Sequence, residues 1–342
     1  MASGIAWAGR DVARHRGPSR TRTYRHGMAP HDDSRYAGAA DPLDVSSDDA
    51  VTRRERRRQS LYREEVLRLP AGTRGDRVLG NYLRPDDWRA NFLSPEAADY
   101  AEVRAEQVPR EGGQLEKTRL RTNMLSSMPL CFSVFGHLRA HPEIAVPLLS
   151  DLLGLDIAAL ALVQIGERTI DGIECEWAPD RRQHTGDRSA FDAVVSATLA
   201  DGRSLLVAVE TKYVDSFSRD PDNAEADRRY EQFCRDFGMA PGAFDRLRGH
   251  ATRQLLRNVL LTESVRRGGS GATAPFDVAL TLVLARDDDA GARTAVAALQ
   301  ADRGAMPTDV RFLGHGEFAT AAERRPGVTD WARSFRRRYC AD

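Results

Sequence analysis

Residues 189–214 read SAFDAVVSATLADGRSLLVAVETKYV, and this stretch decides the fold. Two runs rich in apolar and β-branched residues flank Asp201-Gly202, a dipeptide that is typical of a tight turn between antiparallel strands. Within the second run the side chains alternate between the two faces of a sheet. The stretch therefore predicts an antiparallel β-hairpin.

The loop of this hairpin fixes which residues face each other across it. If Ala200, Asp201 and Gly202 form a three-residue loop with the glycine in the left-handed conformation, the ladder that follows pairs Asp192 with Glu210. Lys212 lies two residues after Glu210 and leaves the same face of the strand. A slip by one residue would turn Asp192 to the opposite face, so the expectation is sharp.

The rest of the sequence surrounds the hairpin with helices and further strands. Helical spacing predicts helices over 52–69, 94–107, 114–141 with a split near Pro129, 143–154, 222–238, 250–268 and 291–303. Short apolar runs predict strands over 160–167, 172–177 and 276–289, and a last strand followed by a loop over 309–318. This order is typical of an α/β fold with a mixed central sheet flanked by helices, preceded by a helical N-terminal portion.

Composition divides the chain into four parts. The first is rich in arginine and then in small and acidic residues, which indicates disorder, and Met28 is an alternative first residue that leaves residues 1–27 in question. We expect a disordered arm over 1–50, an N-terminal helical segment over 51–110, the main domain over 111–325 and a basic C-terminal tail over 326–342.

Charge and cysteine content exclude several classes of protein. Fifty basic residues balance fifty acidic ones, so no global positive field marks a nucleic-acid binder. No apolar run approaches the roughly 18 residues that a membrane-spanning helix needs. The four cysteines have no metal-site spacing, which favours reduced thiols in the cytoplasm.

Lysine is rare in this chain. Only Lys117 and Lys212 stand among the fifty basic residues, and the others are arginines. A lysine that persists in such a composition suggests a site where the compact ammonium, with its adjustable pKa, is needed in place of a guanidinium.

The hairpin thus brings two carboxylates and an ammonium together. Asp192 and Glu210 would repel each other unless a cation lay between them, and a hard divalent ion such as Mg²⁺ prefers oxygen ligands. Such an ion activates water and stabilises charge on phosphate oxygens, so the arrangement indicates metal-assisted phosphodiester hydrolysis. The alternative is a cross-strand ion pair without catalytic meaning.

These residues resemble a known family. The pattern Asp192…Glu210-Thr-Lys212 on a β-hairpin is similar to that of the PD-(D/E)xK nuclease superfamily, which has the restriction-endonuclease-like fold. Further resemblance to one branch of bacterial members extends over about 90–320 and rests on NMLSSMPLCFSVFG (123–136), CEWAP (175–179), GDRSAFDAVV (186–195), VETKYVDSF (209–217) and RQLLRNVLL (253–261). Phe191 stands where the motif has proline.

The resemblance implies roles for these positions. Asp192 and Glu210 would be metal ligands together with the backbone carbonyl of Thr211, and Lys212 would serve the nucleophilic water. Many members add a glutamate ligand, for which the choices are Glu116 and Glu176. An ordinary surface-helix charge and an ordinary strand-end charge remain the respective alternatives.

The helix predicted over 250–268 carries further polar side chains. Related nucleases often place a glutamine beside the site, which here is Gln254. Arg257 and Asn258 lie within about one turn of it, so the three side chains either contact phosphate and the metal ligands or are ordinary surface polarity.

The implied activity is hydrolysis of DNA with Mg²⁺ or Mn²⁺. A non-catalytic protein that keeps the fold to bind nucleic acid or another partner is the competing interpretation. Because cutting both strands often takes two sites, a homodimer is one expected assembly, and no membrane partner is expected.

Overall fold

The described chain begins with helices and ends with alternating helices and strands. The computed structural model describes residues 45–215, 217, 223–271 and 273–340. The α-helices are α1 (Ala50–Leu61), α2 (Pro95–Arg110), α3 (Lys117–Thr122), α4 (Ser127–Cys131), α5 (His137–Ala140), α6 (Pro142–Leu153), α7 (Ala224–Asp236), α8 (Ala243–Leu247), α9 (Arg253–Arg266), α10 (Ala290–Asp302), α11 (His315–Glu323) and α12 (Thr329–Tyr339). The strands are β1 (Gly72–Arg74), β2 (Arg77–Leu79), β3 (Ile157–Leu160), β4 (Leu162–Ile165), β5 (Arg168–Asp171), β6 (Ile173–Trp177), β7 (Phe191–Leu199), β8 (Ser204–Thr211), β9 (Val278–Ala285) and β10 (Asp309–Gly314). Short π-helical and 3₁₀ turns cover Tyr62–Leu67, Phe132–Gly136, Pro85–Asn91 and Arg181–Gln183.

The hairpin lies in a mixed six-stranded sheet. Its strand order is β10-β9-β8-β7-β3, and β6 pairs with the other end of β7. Strands β8, β9 and β10 run parallel, whereas β3, β6 and β8 each pair with β7 in the antiparallel sense. The mixed central sheet and its flanking helices confirm the α/β fold class expected from the sequence.

The register of the hairpin is the one that the turn predicts. The amide of Leu199 donates to the carbonyl of Arg203, and the ladder then continues through Thr198 opposite Ser204. Gly202 has φ +89°, the left-handed conformation that a residue with a side chain adopts only at a cost.

Both faces of the sheet are covered. Odd-numbered residues of β8 such as Val207 belong to the cluster that α2, α6, α11 and α12 complete, and even-numbered ones such as Ala208 pack with Leu261 of α9. A third cluster packs α7, α8 and α10 against β9 and β10. The alternation of side chains along β8 is therefore what turns Glu210 and Lys212 toward α9.

Several local expectations were wrong in detail. The helix expected to split near Pro129 is interrupted at 123–126 instead, because Pro129 lies in the first turn of α4, where a missing N–H costs nothing. A small hairpin, β1–β2, interrupts the N-terminal portion that was expected to be helical. The loop expected after β10 is the helix α11, whose Gly316 amide donates to the carboxylate of Asp287, 2.8 Å away.

Of the basic tail expected over 326–342, the described residues 326–340 are part of the core instead. Helix α12 buries Trp331, Phe335 and Tyr339, and Arg338 is fully buried. The guanidinium of Arg338 donates to the side chain of Gln59 in α1 and to the backbone and side chain of Asn91. Its apolar spacing, rather than its charge, determines where this segment lies.

Two further expectations concern the start of the chain and membrane-spanning helices. The disordered arm predicted over 1–50 lies outside the described residues up to residue 44; from Ala50 onward the chain is α1, capped by the Asp49 carboxylate on the amide of Thr52. Among the described helices, none has the length and apolar character that a membrane crossing requires.

Candidate active site

Asp192 and Glu210 lie where the ladder between β7 and β8 ends. The last paired residues are Ala193 and Val209, so Asp192 and Glu210 face each other one step beyond. There the Asp192 carboxylate replaces the main-chain partner, since its Oδ2 accepts a hydrogen bond of 2.7 Å from the amide of Thr211. The pairing that the sequence predicts is thus present, with the strands beginning to separate at this point.

The Glu210 carboxylate is held by three neighbours. Its Oε1 lies 2.8 Å from the ammonium of Lys212 and accepts a hydrogen bond of 2.7 Å from the amide of Gln254, and Asn258 donates to Oε2. Gln254 and Asn258 are one helical turn apart, so both project from the face of α9 that packs on β8. The carboxylate is buried and keeps a fixed orientation.

Lys212 is buried with its charge satisfied. Besides Glu210, its ammonium contacts the side-chain oxygen of Gln254 at 3.1 Å and lies 4.8 Å from the ring centroid of Phe217. Gln254 therefore bridges the ammonium and the carboxylate. A compact cation fits between these groups, which accounts for a lysine in a chain whose other cations are nearly all arginines.

Glu176 adds a third carboxylate to the same row. Its neighbours in β6 pair with Ala193 and Phe191, so Glu176 lies opposite Asp192. Its φ of +52° is left-handed and strained for a residue with a side chain. Buried Arg104 holds this backbone by donating to the carbonyl of Glu176 at 3.1 Å and to that of the preceding residue at 3.0 Å.

The three carboxylates affect one another electrostatically. Burial, and then the negative charge of Glu210, raises the pKa of Glu176 to about 7. Burial together with the charges of Glu210 and Glu176 also raises the pKa of Asp192 well above its ordinary range, although the residue keeps part of its surface exposed. Repulsion of this kind is what a bound divalent cation relieves.

The donor set suits a hard divalent cation. Asp192, Glu176 and Glu210 offer only carboxylate oxygens, which Mg²⁺ and Mn²⁺ prefer. These oxygens do not converge on one point here, because Glu210 is bonded to Lys212 and α9; among the described residues, the three-residue group whose ligand atoms lie within 4.8 Å of one another is a different one. The residues fit a divalent cation that would replace the Lys212 ammonium as the partner of the Glu210 carboxylate.

The other two predicted positions lie apart from this row. Glu116 is exposed and caps α3 by accepting hydrogen bonds from the amides of Thr118 and Arg119, which is the contact of a helix cap. Hydrogen bonds from Ser189 and Tyr230 lower the pKa of Asp187, and the charge of Arg257 contributes to this to a smaller extent. Of the two glutamates that the sequence offered, Glu176 is therefore the one beside Asp192 and Glu210.

A cleft lies between the turn after β1 and the start of α3. Its volume is about 580 Å³, and its lining includes Arg74, Glu116, Arg119 and Asp215 but none of the three carboxylates. Arg119 connects the two regions, because its charge, after that of Arg104, offsets part of the rise in the pKa of Glu176. Sequence reasoning missed Arg104 and Arg119, because arginine is too common in this chain for any one of them to be singled out.

Comparison with known proteins assigns this chain to a family. A family model described as the PD-(D/E)XK nuclease superfamily matches residues 46–341. The chain belongs to this superfamily. No curated protein and no solved structure gives a significant match. The resemblance noted in the sequence is confirmed and extends further toward both termini, and membership supports nuclease chemistry, that is phosphodiester hydrolysis, in general.

Proposed function

We propose that this PD-(D/E)XK protein hydrolyses phosphodiester bonds of DNA with Mg²⁺ or Mn²⁺. The observation that carries the proposal is the row of Glu176, Asp192 and Glu210 across three adjacent strands, with the Lys212 ammonium beside it. Carboxylates such as Glu176 and Asp192, whose pKa values are raised by burial and by neighbouring negative charge, are costly to a fold, and a protein that only binds nucleic acid has no use for them.

Each residue of the site has a distinct role in the proposed reaction. Asp192, Glu210 and the backbone carbonyl of Thr211 would hold the cation, and Glu176 would provide a further oxygen. The bound cation supplies Lewis acidity toward water and toward the scissile phosphate. Lys212 orients the attacking water and offsets the negative charge that develops on the phosphate.

Helix α9 holds the side chains of Glu210 and Lys212 in place while no cation is bound. Gln254 and Asn258 fix the direction of the Glu210 side chain, and Gln254 also holds the ammonium of Lys212. Side chains that orient metal ligands in this way change metal affinity by roughly 10–100-fold when they are removed. Arg257, on the same helix, offers a guanidinium that can contact phosphate.

The cleft lined by Arg74 and Arg119 offers a path for the nucleic-acid backbone. Both guanidinium groups can contact phosphates, and Arg119 would exchange its ion pair with Asp215 for such a contact. Because the whole chain is neutral, binding depends on such local arginines, and it should weaken as salt rises.

A metal-dependent cleavage assay tests the proposal. Supercoiled plasmid, linear duplex, single-stranded DNA and an RNA of matched sequence are incubated with Mg²⁺, Mn²⁺ or EDTA. We expect DNA cleavage that EDTA abolishes and that Glu210→Ala and Lys212→Ala each reduce by at least about 100-fold. Glu167→Ala, at an exposed turn position, is the matched control and should retain activity.

Two outcomes would contradict the proposal. Cleavage that is equal in wild type, Glu210→Ala and Lys212→Ala would come from a contaminant. Binding of DNA without cleavage by any metal would favour the non-catalytic alternative.

Assembly and location follow from the same proposal. Duplex cleavage in both strands suits two copies of the chain, which sedimentation velocity with and without a DNA duplex can detect. All four cysteines are free and buried, in keeping with a reducing compartment such as the cytoplasm.

A further inference from the structure

A second cluster of potential ligands lies at the other end of α2 from the carboxylate row. Glu96 is the second residue of α2, His137 is the first of α5, and His141 precedes α6. One ligand atom from each lies within 4.8 Å of the other two. We propose that Glu96, His137 and His141 form a binding site for Zn²⁺ that is separate from the nuclease site.

His137 is oriented as a metal ligand needs to be. Its Nδ1 lies 3.1 Å from the hydroxyl of Ser94, the N-cap of α2. The ring also stacks on Trp331, with centroids 4.5 Å apart and planes inclined by 12°. A hydrogen bond on one ring nitrogen that fixes the other toward a metal is a common feature of histidine sites.

The second nitrogen of this ring lacks a partner. The Nε2 of His137 is buried, and no described residue forms a hydrogen bond with it, while the residue as a whole is only 7% exposed. A buried polar atom without a partner is costly in free energy. Coordination to a cation would satisfy it.

The protonation states suit a metal. Burial, and then the charge of His141, lowers the pKa of His137 to about 4, so its imidazole is neutral at pH 7. Hydrogen bonding to its own backbone amide lowers the pKa of Glu96. Neutral imidazole and ionised carboxylate are the forms that bind metal.

The donor set distinguishes this site from the row of carboxylates. Two imidazole nitrogens and one carboxylate oxygen favour Zn²⁺ and its neighbours Co²⁺, Ni²⁺ and Cu²⁺ over Mg²⁺. Arg104, which contacts the backbone of Glu176, is eight residues from Glu96 along α2, a rise of about 12 Å. A cation here would connect the start of α2 to the junction between α5 and α6.

Cobalt binding tests the site directly. Full-length protein carrying Asp192→Asn and Glu210→Gln, freed of metal with EDTA and dialysed, is titrated with Co²⁺ and followed by its visible absorption. We expect one Co²⁺ per chain, displaced by one equivalent of Zn²⁺, and a higher Tm with Zn²⁺ than without. Glu96→Gln and His141→Ala, added separately to this background, should each weaken binding by at least about 100-fold.

A matched control and a local probe complete the experiment. Asp99→Asn, at an exposed carboxylate one turn along α2, should leave Co²⁺ affinity unchanged. Co²⁺ should also quench tryptophan fluorescence, and Trp331→Phe should remove most of that quenching. Equal affinity in the Glu96→Gln, His141→Ala and Asp99→Asn proteins, or no stoichiometric binding in the parent, would overturn the proposal.

Discussion

Lys212 illustrates how one side chain connects composition with chemistry. It is one of two lysines in the chain, and its ammonium is enclosed by Glu210, Gln254 and the ring of Phe217. A guanidinium is broader and would need to form a fork of hydrogen bonds where one compact donor fits. The charge alone is therefore insufficient at this position.

The substitution Lys212→Arg tests this argument. We expect a loss of cleavage rate of about 100-fold or more even though the charge is kept, because the proton-bearing group can no longer take the same position beside the water. Single-turnover kinetics with saturating Mg²⁺ measures it. If Lys212→Arg lowered the cleavage rate by less than several-fold, only the charge at this position would matter.

Glu176 gives a pH dependence with a definite sign. Its pKa rises from 4.5 to about 7 in the folded protein, first through burial and then through the charge of Glu210. The folded state therefore binds a proton that the unfolded chain releases near pH 4.5. This contribution to stability is complete below about 4.5 and is lost as the pH rises to about 7.

Glu176→Gln should remove this loss of stability at rising pH. In EDTA, we expect the variant to gain stability relative to wild type between pH 5 and pH 8, as measured by urea unfolding. Mg²⁺ should stabilise wild type more than the variant at pH 8, since Glu176 then has a cation to bind. Parallel pH profiles for the two proteins, with Glu167→Gln as the control, would contradict this account.

At the scale of elements, the hairpin was the part most open to prediction. Gly202 and the alternation along β8 fixed the register, and the register placed Asp192 opposite Glu210. The approach of α9, with Gln254 and Asn258 on Glu210, was expected only as one of two alternatives. Nothing in the sequence indicated the left-handed backbone of Glu176, because Arg104 stabilises it from a distant helix.

The same element makes a stability prediction. Gly202→Ala places a side chain at φ +89°, so we expect it to destabilise the protein by about 1–2 kcal/mol. Cleavage should fall only as far as the folded fraction of the protein falls. Gly249→Ala is the matched control, because an added Cβ at either glycine meets open space but Gly249 has no left-handed backbone. Equal free energies of unfolding for the two variants would argue against a turn that fixes the register.

At the scale of the molecule, both ends of the described chain are attached close to the site. Tyr213, the residue after Lys212, donates a hydrogen bond of 2.9 Å to Glu55 and accepts one of 2.7 Å from Gln59 in α1. Gln59 in turn contacts Arg338 of α12. Composition predicted a basic tail in place of α12, because hydrogen bonds between distant segments leave no local pattern in a sequence.

Arg338 should matter far more than its neighbours on α12. Arg338→Met removes a fully buried charge and leaves Gln59 and Asn91 with unmatched oxygens, so we expect a loss of at least about 2 kcal/mol in unfolding free energy. Arg333→Met, at an exposed position on the same helix, should change stability by less than about 0.5 kcal/mol. Similar urea midpoints for the two variants would mean that α12 does not anchor α1.

The most direct test of the carboxylate row is a crystal structure grown with Mn²⁺ and recorded for anomalous scattering. We expect one strong anomalous peak bonded to both Asp192 and Glu210, with the Glu210 carboxylate released from Lys212. A Mn²⁺-soaked crystal in which Glu210 still contacts Lys212, Gln254 and Asn258 and no peak lies beside Asp192 would contradict the assignment of this row as the metal site.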